Sequence, residues 1–130
     1  MKTIEITTDT QGAINKVMIE CDRRVRSLTL ILENGERKTY SGSDLYVCFG
    51  MLRADYPETK FLCKGAKLNV HPSSMSSQMS AGVVAYELQL GKPAGSDDVV
   101  NIFDYEVADI TNDIGQQRDF YKRWRESFGG

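Results

Sequence analysis

The chain of 130 residues has little of what usually announces a function: one histidine, one tryptophan, three prolines, three cysteines and a formal net charge of only −2. A single histidine rules out acid–base schemes that need two. The near-neutral balance lacks the basic excess with which a general nucleic-acid binder engages phosphates. Cys21, Cys48 and Cys63 are odd in number and widely spaced, with no C-x-x-C. That pattern points to reduced thiols acting as small buried hydrophobes, and it implies neither a disulfide framework nor a metal site. No apolar run approaches transmembrane length. The first residues, MKTIEITTDT, alternate polar with apolar and lack a signal-peptide h-region, so the expected location is cytoplasmic.

What is present fits one domain over residues 1–130, with 41% hydrophobic residues sufficient for a core without staples. Ile4 and Ile6 alternate with polar neighbours, as do Val17, Ile19 and Cys21, then Leu28, Leu30 and Leu32. Period two predicts strands. Asn34-Gly35 predicts a type I′ hairpin, with the residues from Arg37 to Tyr40 returning antiparallel. The period then changes: Leu45, Cys48, Phe49, Leu52 and Tyr56 form one helical stripe, with Ser41 or Ser43 as the expected cap and Pro57 as the stop.

A short strand is expected from Lys60 to Lys64, then a long polar loop over 65–82 with room for a single helical turn near Ser74 to Met79. Val84, Tyr86, Leu88 and Leu90 predict one face of a further strand, and 99–103 suits a buried strand or a helical turn. Ile114, Tyr121, Trp124 and Phe128 predict a last helix, with Asp113 and Gln116 as a capping pair and Gly129-Gly130 frayed beyond it. The order predicts an α+β domain: two main helices packed on an antiparallel or mixed sheet.

Three side-chain groups carry possible chemistry. His71, followed by Pro72-Ser73-Ser74, could serve a small hydrolase or transferase if Cys63 or Ser73 lay within hydrogen-bond reach, although no G-x-S-x-G elbow marks such a site. A loop histidine with local hydrogen bonds is the plainer alternative. Met75 and Met79, four apart, share a face of any helical turn; packing into the core is expected from that spacing, and an adaptable contact surface is the alternative.

Charge placement is more informative than net charge. Between Pro93 and Gln117 lie Asp97, Asp98, Asp104, Glu106, Asp109 and Asp113, with no lysine or arginine. Such a strip is either solvated or complementary to a basic protein surface. It lacks the D-x-[DN]-x-[DN]-G spacing of a calcium loop. Arg118, Lys122, Arg123 and Arg125 follow, mixed with Asp119 and Glu126, which reads as an ordinary surface helix. An RNA-binding regulator would need these to join Lys64 and Lys67.

Phe61-Leu62-Cys63-Lys64-Gly65-Ala66, His71-Pro72-Ser73-Ser74-Met75, Ala85-Tyr86, Gly91-Lys92-Pro93, Val100-Asn101-Ile102-Phe103-Asp104 and Gln117-Arg118-Asp119-Phe120-Tyr121 together resemble small bacterial immunity proteins of contact-dependent growth inhibition and related polymorphic toxin systems. The resemblance spans about Phe61 to Arg125. It implies a non-enzymatic cytoplasmic protein, without cofactor or metal and without direct nucleic-acid or membrane binding, that neutralises one cognate toxin domain. The acidic bias suits a basic nuclease such as a tRNase. On this reading Asp97, Asp98, Asp104, Glu106 and Asp109 contact basic toxin residues, and His71, Met75 and Gln78 form a second patch.

Overall fold

The computed structural model describes residues 1–128; the terminal glycines lie outside them. Strands β1 (Lys2–Thr10), β2 (Ala13–Asp22), β3 (Ser27–Ile31), β4 (Arg37–Ser41) and β5 (Thr59–Phe61) form an antiparallel sheet in the order β4-β3-β2-β1-β5. A second antiparallel sheet has the order β6-β7-β8, from Val70–His71, Val84–Glu87 and Val99–Asn101. With helices α1 (Leu45–Ala54), α2 (Ser74–Ser80) and α3 (Ile114–Glu126), this is a single-domain α+β fold, as the order of periodic segments predicts. No helix among the described residues is long and apolar enough to cross a membrane.

The alternation in the first strands does what period two dictates. Ile19, Leu28 and Leu30 turn inward and are sealed against Leu45, Cys48, Phe49 and Leu52 of α1, all at most 2% exposed. Each such side chain contributes about 1.5–3 kcal/mol relative to exposure. Helix α1 packs on β3 and β4, while α2 lies against β7 and α3 against β6.

Turn chemistry departs from expectation. The tight turn with two left-handed residues is at Gln11 (φ 53°) and Gly12 (φ 93°), where Thr10 pairs with Ala13 and Asp9 Oδ1 accepts from Gly12 N. At Asn34-Gly35 the connection is one residue longer. Gly35 N donates to Leu32 O, Leu32 N donates to Glu36 O, and Gly35 (φ 89°) takes the left-handed position. Ile31 then pairs with Arg37, so the hairpin returns as expected through a different turn.

The cap of α1 is Asp44, not Ser41 or Ser43: its Oδ1 accepts from Val47 N at 2.8 Å. The helix stops at Ala54, before Tyr56, with Asp55 N donating to Leu52 O. The strand expected from Lys60 to Lys64 is shorter and earlier, and Lys64–Ala66 is a 3₁₀ turn.

The region 65–82 is mostly ordered into this turn, β6 and α2. Helix α2 lies where the helical turn is expected and runs longer; aperiodic polar sequence hid the 3₁₀ turn and β6, because their hydrogen bonds are long-range: Gly65 N donates to Ile102 O, Tyr46 Oη to Val70 O and Leu88 N to Asn69 O. Residues 99–101 are strand, not helical turn. Strand β7 turns the small Ala85 into the core (0% exposed) and leaves Val84 and Tyr86 half-buried; past its end, Leu88 of the expected face is buried (4% exposed) and Leu90 is exposed. Helix α3 is capped by Asp113 Oδ1 on Gly115 N, while Gln116 accepts instead from Thr111 Oγ1.

Candidate functional site

The segment after β8 runs antiparallel to 62–68, and this pairing creates the most built-up exposed feature of the acidic region. Lys64 N donates to Asp104 O, Glu106 N to Leu62 O, Leu68 N to Asp109 O and Thr111 N to Ala66 O. Bridges pair Cys63 with Tyr105 and Lys67 with Ile110. Asp109 sits at φ 56°, a left-handed position that aspartate tolerates better than most residues.

Glu106 fastens this loop from inside. Its Oε1 accepts from Lys64 Nζ at 2.9 Å and Lys67 Nζ at 2.7 Å, and its Oε2 accepts from Val107 N at 2.9 Å and Ala108 N at 3.1 Å. Glu87 completes the cluster, 2.8 Å from Lys64 Nζ and 3.3 Å from Lys67 Nζ. The lysine hydrogen bonds, Lys64 first, hold the Glu106 carboxyl far below the usual carboxylate range. The Lys64 bond likewise lowers Glu87, against partial burial. Lys64 is raised by its bonds to Glu106 and Glu87; for Lys67 burial pulls downward, but the same two carboxylates outweigh it.

The expected acidic strip therefore divides. Glu106, with a side chain only 13% exposed, is engaged internally and is not a free contact. Asp97, Asp104 and Asp109 are exposed and Asp98 partly so, with Asp98 Oδ2 accepting from Gly95 N and Asp104 Oδ2 from Asn101 N. Between them stand Tyr105 (65% exposed) and Val107 (58% exposed). Sequence reasoning passed over these two; the available signal was an aromatic and a β-branched residue alternating with carboxylates.

The second patch also divides. Met75 (68% exposed) and Met79 (80% exposed) point outward with Gln78, so the expected packing into the core does not occur. Ser73 caps α2 through its Oγ on Ser76 N, and Ser76 is the helix's buried residue, which leaves the methionine face to solvent.

His71 is stacked on Tyr121 at 4.0 Å between ring centroids and edge-on to Tyr46 at 5.1 Å, in a cleft it shares with Ser74 and Ser77 of α2. Its Nδ1 lies 2.6 Å from Pro72 O. A carbonyl only accepts, so Nδ1 carries the proton and Nε2 is the free nitrogen. Burial lowers its pKa, which favours the neutral ring.

Cys63 is 1% exposed and burial pushes its thiol up to about 12, so it offers no thiolate near neutral pH. The alternative pairing of His71 with a Cys63 nucleophile loses its chemical basis. Ser73 does share with His71 a cleft of about 350 Å³, also lined by Asp44 and Arg118, but its Oγ is engaged in the α2 cap. Lys64 and Lys67 are balanced by Glu87 and Glu106, so they do not join the basic residues of α3 as the RNA reading requires. Among the described residues, no group of three His, Cys, Asp or Glu is placed to hold a metal ion.

No protein-family model matches this chain, and no curated protein matches it in sequence.

Proposed function

We propose that this chain is a cytoplasmic immunity protein that binds one cognate toxin domain, a basic nuclease such as a tRNase, and neutralises it by covering its active site. The observation that carries this reading is the pinned 104–109 loop: exposed Tyr105 and Val107 flanked by the carboxylates of Asp104 and Asp109. Apolar anchors within a charged rim are how tight interfaces divide their energetics. The anchors supply affinity, and the rim supplies rate and selectivity. A loop already held by the Glu106 cluster has little conformational entropy left to lose on binding.

A basic nuclease surface evolved to hold phosphates is complementary to this rim. Asp97 and Asp98 extend the same charge. The outward methionines of α2 supply a second, adaptable contact.

The test is co-purification of the chain with the C-terminal domain of a large secreted effector encoded beside its gene. A one-to-one complex that suppresses nuclease activity, with association slowed by salt, is the expected result. Failure of that domain to bind at low ionic strength, or binding unchanged by reversing Asp97, Asp98 and Asp104 together, would overturn the reading.

A further inference from the structure

The two sheets meet at one end around a cavity of about 340 Å³, separate from the 104–109 loop. Its floor is apolar, with Ile4 from β1, Val83 just ahead of β7 and Phe103 just after β8. Its rim is cationic, with Lys2 from β1 and Arg23 and Arg24 from the turn that follows β2. Asp22 is the one carboxylate in the lining, and its Oδ1 already accepts from Arg24 N at 3.0 Å and Val25 N at 3.4 Å.

The arginines sit on a turn fastened at its far end. Arg26 (φ 55°) donates from Nη1 to Ser43 O at 2.7 Å and from Nη2 to Gln78 O at 3.1 Å, while its own carbonyl accepts from Gly42 N. A fixed turn carrying two consecutive arginines beside apolar lining residues raises the local positive potential, because low-dielectric walls focus the field. The Cys21 thiol in the wall is buried and pushed up to about 11, so it is no nucleophile.

We propose that this cavity is a binding site for a small organic anion, its phosphate, sulfonate or carboxylate head held by Lys2, Arg23 and Arg24 and its apolar body resting on Ile4, Val83 and Phe103. A guanidinium recognises such a head through two parallel hydrogen bonds. The volume is at the small end for organic ligands, so the body is of one or two rings or a short chain.

The probe is naphthalene-2-sulfonate, with 2-naphthol as its uncharged counterpart, titrated against the folded chain by fluorescence and calorimetry. Saturable one-to-one binding of the sulfonate is expected, with methyl resonances of Ile4 and Val83 shifting in step. The R23E/R24E double variant should weaken it by about tenfold or more, the loss of charge-assisted hydrogen bonds. Lys122→Glu, on the exposed face of α3, should leave it unchanged. Non-saturable binding, equal affinity for the uncharged analogue, equal affinity of R23E/R24E, or shifts confined to other methyl groups would each overturn the proposal. The methyl map is read on the unaltered chain and stands whether or not the double variant folds.

Discussion

Arg53 Nη2 donates to Gln117 Oε1 at 2.6 Å, and both residues are 0% exposed. Arg53 Nη1 and Gln117 Nε2 both donate to the carbonyl of Gly65, at 3.0 and 2.9 Å, and Gln117 Nε2 also reaches Lys67 O at 2.8 Å. One guanidinium and one amide thus tie α1, the 64–67 turn and α3 together. Burial lowers Arg53 to about 10, still charged at neutral pH, and the Phe49 ring lies 4.8 Å from its guanidinium carbon. The same turn carries Lys64 and Lys67, so this core contact positions the loop proposed to meet a partner.

Gln117→Ala should be among the most destabilising single changes in α3. It removes an acceptor from a buried cation and a donor from one buried and one partly buried carbonyl, at a cost of about 2–4 kcal/mol. Urea denaturation monitored by Trp124 fluorescence would read it; a loss below about 1 kcal/mol would mean that water enters and replaces the amide.

Tyr105→Ala separates binding from folding. With 65% of the side chain exposed, its removal should leave the unfolding midpoint nearly unchanged. Affinity for the cognate toxin domain should fall by about 30-fold, or roughly 2 kcal/mol, as for an interface anchor. Equal affinity in surface plasmon resonance would remove Tyr105 from the contact.

The Glu106 cluster makes stability acid-sensitive. Its folded-state pKa lies below the ordinary value of 4.5, so between the two the unfolded chain binds more protons and stability rises with pH. This contribution is complete above the ordinary value and is lost as the pH falls below it. Glu106→Gln should flatten the stability curve between about pH 5 and pH 3, where the wild-type curve declines. Parallel curves for the two proteins would show that other carboxylates carry the acid response.

Gly82→Ala should weaken the start of α1. Gly82 sits at φ 79°, and an added Cβ would lie 2.7 Å from Cγ of Asp44, the residue that caps that helix. Strain and displacement of the cap together should cost about 2 kcal/mol or more, measured as a fall in the thermal midpoint. A normal midpoint would mean that Asp44 shifts without losing Val47 N.

The three thiols should behave as core side chains. Cys21, Cys48 and Cys63 are 5%, 0% and 1% exposed, and burial raises all three pKa values. An aromatic disulfide reagent should titrate none quickly in the native protein and all three in urea. Rapid native reaction at any one of them would indicate local opening there.

What the sequence determined by itself is local and periodic. The inward alternation of Ile19, Leu28 and Leu30, the stripe from Leu45 to Leu52 and the final helix follow from side-chain period, because a strand or helix face needs only its own residues to be specified. Tertiary structure decided the roles of chemically similar groups. Asp104 and Glu106 are two acidic residues in one strip, but the 64–67 turn brings two lysines to Glu106 and leaves Asp104 outside. Met75 and Met79 have core spacing, yet the buried residue of α2 is Ser76 and the methionines face solvent. Arg53 and Gln117 are polar residues sealed at the centre because distant carbonyls satisfy them there. Burial and partnership depend on segments dozens of residues away, and no local pattern in the chain encodes which of them arrives.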